Sequence, residues 1–529
     1  MVFTRMTHHP SLSTRDSALL APRPIVWTIA GSDPGGGAGI QADLKTMNGL
    51  GVHACAVITA LTVQNTTGVF RVAPVAPDLL REQLAALAAD LPPAAIKIGM
   101  LATAGHVRIV ADFLRQTDAF VVCDPVLAAT RGAELLEADG RQLLIEEILP
   151  RADLVTPNYP ELGKLLNKDF QGLEETAEAA SGRLQCGGTP HLRKESLQGC
   201  LRAAASELLR RGARSVLVKG GHGGAEFCQD YWTNGSEAFW LTSPRQLVRH
   251  THGTGCTLSS AIAAARALGL SLSDALVLGK AYLNQGLRQG NDLGRGPGPL
   301  AHLGWPDNAP DLPWATPTAE AGRTRPSFPA CGPVPLGLYP IVPCAAWLEK
   351  LLPLGITTIQ LRAKDLAGAA LEKEICLAIE IARRFDARLF INDAWEPALK
   401  HGAYGVHLGQ EDARSADLAA LARAGLRLGF SAHNYIELST ANAVRPSYIG
   451  LGPVFPTTTK RMTRPPLGVD AFRRLCRLAG RPVAAIGGLA PEHMPALRAA
   501  GADGFSVIAD LLDAPDPLTR AVEWLRLIA

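Results

Sequence analysis

The sequence predicts an α/β protein of two bodies, an amino-terminal parallel sheet layered between helices and a carboxy-terminal (β/α)8 barrel. Three observations lead there. Short apolar runs alternate with helix-length amphipathic segments in both halves, the order parallel strands need because each neighbouring pair requires a crossover. The second half repeats that unit eight times in quick succession. Between the halves, 306–335 holds eight prolines in thirty residues and loses apolar periodicity, as expected of an extended linker.

Composition sets outer limits. A chain of 529 residues calls for more than one core, and 47% hydrophobic against 19% charged residues can fill them. A net charge of +3 is too small for a nucleic-acid-coating surface, and no uninterrupted apolar run is long enough for a membrane. The ten cysteines are scattered without a C-x-x-C pair, so free thiols in a reducing compartment are expected. Residues 1–24 carry Arg5, Arg15 and Arg23 but no apolar stretch, which suits a disordered leader on a cytoplasmic protein, with organellar targeting as the alternative. The expected boundaries are therefore 1–24, 25–305, 306–335 and 336–529.

In the first body, Ile25–Ala30 reads as a strand, Gly31–Gly39 as a glycine-rich turn and Ile40–Leu50 as a helix. Further strands are expected at Ala56–Ala60, Ala95–Ile98, Phe120–Cys123, Leu154–Thr156 and Ser215–Lys219, with helices at Leu79–Ala89 and Leu201–Arg211. The glycine-rich turn meets neither the P-loop pattern nor the dinucleotide fingerprint. At Thr251–Thr257, just before a small-residue helix at Leu258–Leu268, the amides of Gly253, Thr254 and Gly255 can form an anion hole at the positive end of the helix. The plainer reading is a helix cap with a buried Cys256. Lys219 and the glycines after it can contact a nucleotide or merely turn.

Taken in order, the block 30–46, Val57–Thr66, Lys97-Ile98-Gly99-Met100-Leu101, Asp124-Pro125-Val126, Thr156–Glu161, Val218–His222 and Thr251–Thr257 resemble hydroxymethylpyrimidine/phosphomethylpyrimidine kinase over roughly 25–300. The resemblance implies a ribokinase-like three-layer fold that phosphorylates an aminopyrimidine alcohol and then its monophosphate, with ATP as cosubstrate and Mg2+. It places Asp43 and Gln64 on the polar edge of the pyrimidine with Ala38, Thr62 and Met100 nearby. It makes Asn158 and Glu161 candidates to organise Mg2+ or phosphate, and Lys219 a candidate for nucleotide phosphates. Cys256 stands where many related sugar kinases carry an aspartate base, and the anion-hole amides are expected to make its thiol more thiolate-like.

The second body offers strands at Leu338–Val342, Thr358–Leu361, Leu389–Asn392, Gly405–Leu408, Arg427–Phe430, Tyr448–Leu451, Val483–Ile486 and Gly504–Ile508. Helices at Glu372–Arg384, 412–424 and Met494–Ala500 separate them, and polar residues gather at the strand ends. Gln360–Asp365, Ile391-Asn392-Asp393, Gly405–Asp412, Gly450–Lys460, Ala485–Leu489 and Gly501–Gly504 together resemble thiamine-phosphate synthase across about 335–529. That implies a TIM barrel joining hydroxymethylpyrimidine diphosphate to hydroxyethylthiazole phosphate, with departure of pyrophosphate and no protein nucleophile. It assigns Mg2+ to Asp393 and Asp412, the pyrimidine diphosphate to Gln360, Arg362, Lys364, Asn392, Ser431 and Lys460, and thiazole phosphate to Thr457, Thr459, Gly487 and Gly488. Lys460 also stabilises the leaving group. His407 is read as orienting a loop.

The combined expectation is a bifunctional thiamine-biosynthesis enzyme whose first half makes the diphosphate that its second half consumes. Its partners are the aminopyrimidine and its phosphates and hydroxyethylthiazole phosphate, without nucleic acid or membrane; a homo-oligomer is compatible with these features. Two alternatives stay open: a pyridoxal-type kinase fused to an unrelated phosphate-binding barrel, and a ligand-responsive interaction protein with decayed sites.

Overall fold

A computed structural model describes residues 23–128, 134–168, 197–221, 226–319, 325–457 and 465–528. The expected leader therefore lies almost wholly outside the described residues.

The first body is built on one ten-stranded sheet. In chain order its strands are β1 (Ile25–Ser32), β2 (His53–Asn65), β3 (Gly68–Pro74), β4 (Ala95–Ile98), β5 (Phe120–Cys123), β6 (Leu154–Val155), β7 (Val216–Val218), β8 (Phe227–Thr233), β9 (Ala238–Pro244) and β10 (Trp314–Thr316). The spatial order is β10-β9-β8-β7-β6-β5-β4-β1-β2-β3. Neighbours from β2 through β7 are parallel, and antiparallel β3 and β8–β10 extend the two edges. β1 is buried along nearly its whole length, which is why it reads as an apolar run rather than an alternation. The helix Thr254–Ala267 buries every residue from Thr257 to Ala265, and its serines and alanines let it lie close against its neighbours.

The second body is a closed barrel of eight parallel strands. These are β11 (Gly337–Val342), β12 (Thr358–Leu361), β13 (Arg388–Asn392), β14 (Gly405–Leu408), β15 (Arg427–Ala432), β16 (Tyr448–Leu451), β17 (Val483–Ile486) and β18 (Gly504–Val507). Pairing of β11 with β18 closes the ring.

The proline-rich stretch does more than join the halves. Its first part supplies β10, paired to β9 at the sheet edge where proline's missing N–H costs no ladder bond. Its last part runs under the barrel, where Cys331 and Leu336 pack with Tyr339, Phe390 and Tyr448. The Arg388 guanidinium ties it down by donating to the carbonyls of Cys331, Val334 and Pro335. The two bodies also share apolar packing, since one continuous cluster contains residues of both. The barrel helix Tyr435–Val444 docks on β10 and on the helix Leu272–Arg288. There the Ile436 amide donates to Asp274 Oδ1 at 2.9 Å, the Ser439 hydroxyl donates to the Pro313 carbonyl at 2.9 Å, and Arg474 lies over the Trp305 ring.

Candidate functional sites

In the first body, the turn after β1 meets the start of the helix Thr254–Ala267. Gly253 caps that helix at φ +86°, and a side chain there would put its Cβ 1.8 Å from the Gly37 carbonyl oxygen. Glycine is therefore required both for the left-handed backbone and for the close approach. The amides of Thr254 and Gly255 open the helix, as an anion cradle needs. Beside them stands an ion pair: Lys219 Nζ lies 2.6 Å from Asp124 Oδ1 and 3.6 Å from Glu161 Oε2. A Cβ on Gly255 would fall 3.1 Å from Lys219 Nζ and 3.2 Å from Asp124 Oδ2, so the pair sits directly at the cradle. Burial alone would discharge Lys219, but Asp124 and Glu161 outweigh it and keep the ammonium charged. Burial pushes Glu161 up to about 7, with Lys219 opposing and Asp124 adding to the rise.

Several expected roles change. Asp43 does not offer a free carboxylate to a pyrimidine. It is fully buried, and its oxygens accept from Thr28 Oγ1 at 2.6 Å, Lys97 Nζ at 2.8 Å and Ser260 Oγ at 2.7 Å. It thus pins β1, β4 and two helices together beneath the cradle. Asn158 and Glu161 form a capping box, each accepting from the other's backbone N–H at 2.8 Å, so part of their bonding capacity serves the helix Tyr159–Leu166. Cys256 moves opposite to expectation: burial pushes its thiol up to about 11, with Lys97 opposing and Asp43 and Asp124 reinforcing.

The remaining pocket residues converge. Met100 is buried, and its side chain fills the space in front of Gly31. Thr62 Oγ1 donates to the Ser32 carbonyl at 3.0 Å, and Gln64 lies 3.1 Å from His252 Nε2. Asp33 gathers the turn by accepting from the amides of Gly35, Gly37 and Ala38. Asp33, Lys97, Asp124 and His252 lie inside the sequence motifs with no role that spacing alone reveals; only the fold shows that they interlock.

In the barrel, a polar spine crosses the interior between strands. Gln360 Nε2 donates to Tyr339 OH at 3.1 Å, Tyr339 and Tyr448 hydroxyls are 2.6 Å apart, Tyr448 OH is 2.6 Å from His407 Nδ1, and His407 Nε2 is 2.9 Å from Ser431 Oγ. The amide at one end fixes the direction. Each hydroxyl accepts from the previous member and donates to the next, His407 accepts at Nδ1 and donates at Nε2, and the Ser431 proton is left for a ligand. Burial holds His407 neutral by pulling its pKa down to about 4. His407 is thus a member of this spine rather than a loop support. Gly429 makes the arrangement possible, because a Cβ there would lie 2.3 Å from the Tyr448 ring.

At the strand ends, Lys364 ion-pairs with Asp393, and Asn392 Nδ2 donates to Asp393 Oδ1 at 3.0 Å. Asp393 adopts φ +59°, and Asn392 Oδ1 is buried without a partner. These three residues rim a cavity of about 320 Å3. Arg362 is half-buried one residue beyond β12. Asp412 opens a short helix after β14, with Oδ2 directed over Gly409. Gly487 and Gly488, at φ +90° and +65°, pack so tightly on Pro453 and Pro456 that a Cβ would approach within 2.4 and 2.3 Å. Thr457 is described, whereas Thr459 and Lys460 lie outside the described residues.

Among the described residues no group of three or more His, Cys, Asp or Glu side chains encloses a cation, and no helix is long and apolar enough to cross a membrane. Asp393, next to the orphaned Asn392 acceptor, and Asp412, in the segment after the neighbouring strand, offer carboxylate oxygens of the kind that suits a cation which keeps waters and takes other oxygens from phosphate. The residues present therefore fit Mg2+.

Comparison with known proteins finds a family match in each body. The phosphomethylpyrimidine kinase family matches 33–192 and 190–301, and the thiamine monophosphate synthase family matches 338–511. A probable chloroplastic thiamine biosynthetic bifunctional enzyme from rice is 33% identical over 93% of this chain and 87% of its own length. A chloroplastic counterpart from Arabidopsis thaliana is 33% identical over 97% of this chain and 94% of its own length. Thiamine-phosphate synthase from Serratia proteamaculans is 49% identical over 38% of this chain and 95% of its own length.

Proposed function

The chain belongs to the family of bifunctional thiamine biosynthetic enzymes, and from that premise we propose how its residues divide the work. The amino-terminal half is a hydroxymethylpyrimidine/phosphomethylpyrimidine kinase that uses ATP, and the carboxy-terminal half is a thiamine-phosphate synthase. Supporting the assignment of roles is one observation above others: a lysine–carboxylate pair stands at a glycine-capped helix start in the first body, and a second stands at the strand ends of the barrel.

In the kinase, Lys219 holds nucleotide phosphates, and the Gly253, Thr254 and Gly255 amides meet the charge that develops on the transferring group. Asp124 and Glu161 face Lys219 and are the carboxylates suited to Mg2+, which when bound neutralises phosphate charge. Gln64, Thr62, Ala38 and Met100 receive the aminopyrimidine. Burial keeps Cys256 a neutral thiol against the opposing pull of Lys97, so a base role draws on the small thiolate fraction that Lys97 sustains.

In the synthase, Asp393 and Asp412 would hold Mg2+, which supplies charge compensation for departing pyrophosphate. Arg362, Lys364, Asn392 and Lys460 bind the diphosphate. Gln360 and Ser431, the two ends of the spine, orient the pyrimidine, while Thr457, Thr459, Gly487 and Gly488 receive thiazole phosphate. The product of the first half is the substrate of the second. Its compartment follows its relatives in the organellar reading or the bare sequence in the cytoplasmic one.

The test is one reaction series on the full chain: aminopyrimidine alcohol, ATP and Mg2+, with and without thiazole phosphate, and with pyridoxal as competitor. Mono- and diphosphorylated pyrimidine form first, and thiamine phosphate appears only with the second acceptor. Preferential phosphorylation of pyridoxal, or binding without turnover in either half, defeats the reading.

A further inference from the structure

His252 Nε2 has two claimants. It lies 3.0 Å from Asp33 Oδ2 and 3.1 Å from the side-chain amide of Gln64. One ring nitrogen cannot donate and accept at once. Asp33 is a charged acceptor already fixed by three backbone amides, and a bond to a carboxylate is the stronger of the two. Burial raises the Asp33 pKa, yet the His252 bond and the amides of Gly35 and Ala38 outweigh it and leave the carboxyl below its ordinary value. Nε2 therefore carries the proton, and the Gln64 amide must turn its oxygen toward the imidazole. Its nitrogen then faces Thr62 Oγ1, which already donates to the Ser32 carbonyl and so can accept. The ring is held from the other side by Gly37, where a Cβ would fall 2.5 Å from His252 Cδ2.

We propose that His252 is a positioning residue of the kinase: Asp33 fixes its Nε2 proton, and that proton holds the Gln64 amide with one N–H on Thr62 and the other toward the ligand. The aminopyrimidine is then read at Gln64 through a ring-nitrogen acceptor rather than through its exocyclic amine. Because His252 directly precedes Gly253, the same side chain couples reading of the ring to the anion cradle. This rests on the proposed placement of Gln64 at the pyrimidine.

The experiment measures kcat and KM for the aminopyrimidine alcohol at saturating ATP and Mg2+ in full-length Gln64→Ala, Gln64→Glu, His252→Phe and His252→Gln variants. Synthase turnover of the same chain serves as the check on folding. Gln64→Glu keeps an oxygen for His252 but loses the donor, so KM should rise about tenfold with kcat little changed. His252→Phe should do the same, a chain carrying both Gln64→Glu and His252→Phe should be no worse than either single variant, and His252→Gln, which retains an N–H donor, should recover most of the loss. A wild-type KM in Gln64→Ala would remove Gln64 from the pyrimidine site and sink both readings. A raised KM in Gln64→Ala with a wild-type KM in Gln64→Glu or in His252→Phe would overturn only the present proposal, as would a His252→Phe effect confined to kcat. Should His252→Phe not fold, His252→Gln decides: near-normal KM supports the assignment, and a tenfold rise refutes it.

Discussion

Acidification should break the barrel's polar spine at His407, and the size of the effect follows from its burial. The ring's pKa falls from 6.5 to about 4 in the fold, with burial as the cause. That difference corresponds to about 3 kcal/mol favouring the neutral ring. Since the folded value lies below the unfolded one, the contribution is complete above about pH 6.5 and drains away as pH falls toward about 4. Two hydrogen bonds are at stake. An imidazolium would present donors to both Tyr448 and Ser431, reversing the Tyr448 hydroxyl and the direction of everything upstream. The measurement is urea-dependent amide exchange in peptides spanning β14–β16, comparing wild type with His407→Phe from about pH 7.5 to about pH 4. The variant should be less stable near neutrality by about 2 kcal/mol, for the Tyr448 and Ser431 bonds it lacks. That deficit should close or invert as the pH falls, because the substituted phenyl ring has nothing to protonate. A stability difference that stays constant across the range would refute both the neutral ring and the directed spine.

Three further outcomes follow from the same structure. Cys256→Ala should slow phosphorylation of the alcohol at least tenfold more than phosphorylation of the monophosphate, whose acceptor oxygen needs no base; equal losses in single-turnover assays would discard the base role. Glu161, held up at about 7 by burial, carries a proton at about pH 6, and its contribution to stability is present below its ordinary value and lost as pH rises through about 7. Binding of Mg2+–nucleotide should therefore release a proton near that pH, seen by calorimetry in buffers of different ionisation heat, and Glu161→Gln should abolish the release. Asp274→Ala removes the acceptor for the Ile436 amide between the bodies and should cost about 1–2 kcal/mol, separating the thermal transitions of the two halves; a single unchanged transition would show that this contact does not couple them.

What the sequence disclosed, and what it hid, follows from how far each signal reaches along the chain. The barrel strands were legible because each is a short apolar run cut off by glycine or a polar residue, and the observed ends agree within about two residues. The β8–β9 hairpin escaped although Asn234-Gly235 between two aromatic runs is its turn signal, and β10 escaped because prolines flank a strand that needs only one partner. Which carboxylates are free to meet a ligand is hidden for a different reason. Asp43, Glu161 and Asp412 are the same kind of group, and in sequence each looks equally able to meet a ligand. In the fold, Asp43 has spent its oxygens on Thr28, Lys97 and Ser260, Glu161 shares one with a helix cap, and the Asp412 carboxylate has no hydrogen-bond or ion-pair partner among the described residues. A carboxylate's availability is a tertiary property, set by elements far apart in the chain. The Asn158-x-x-Glu161 spacing could have been recognised as a capping box, because that signal is local. No local signal marks Asp43. Its saturation rests on Lys97 and Ser260, which lie 54 and 217 residues away and become neighbours only when β4 and the helix Thr254–Ala267 come together.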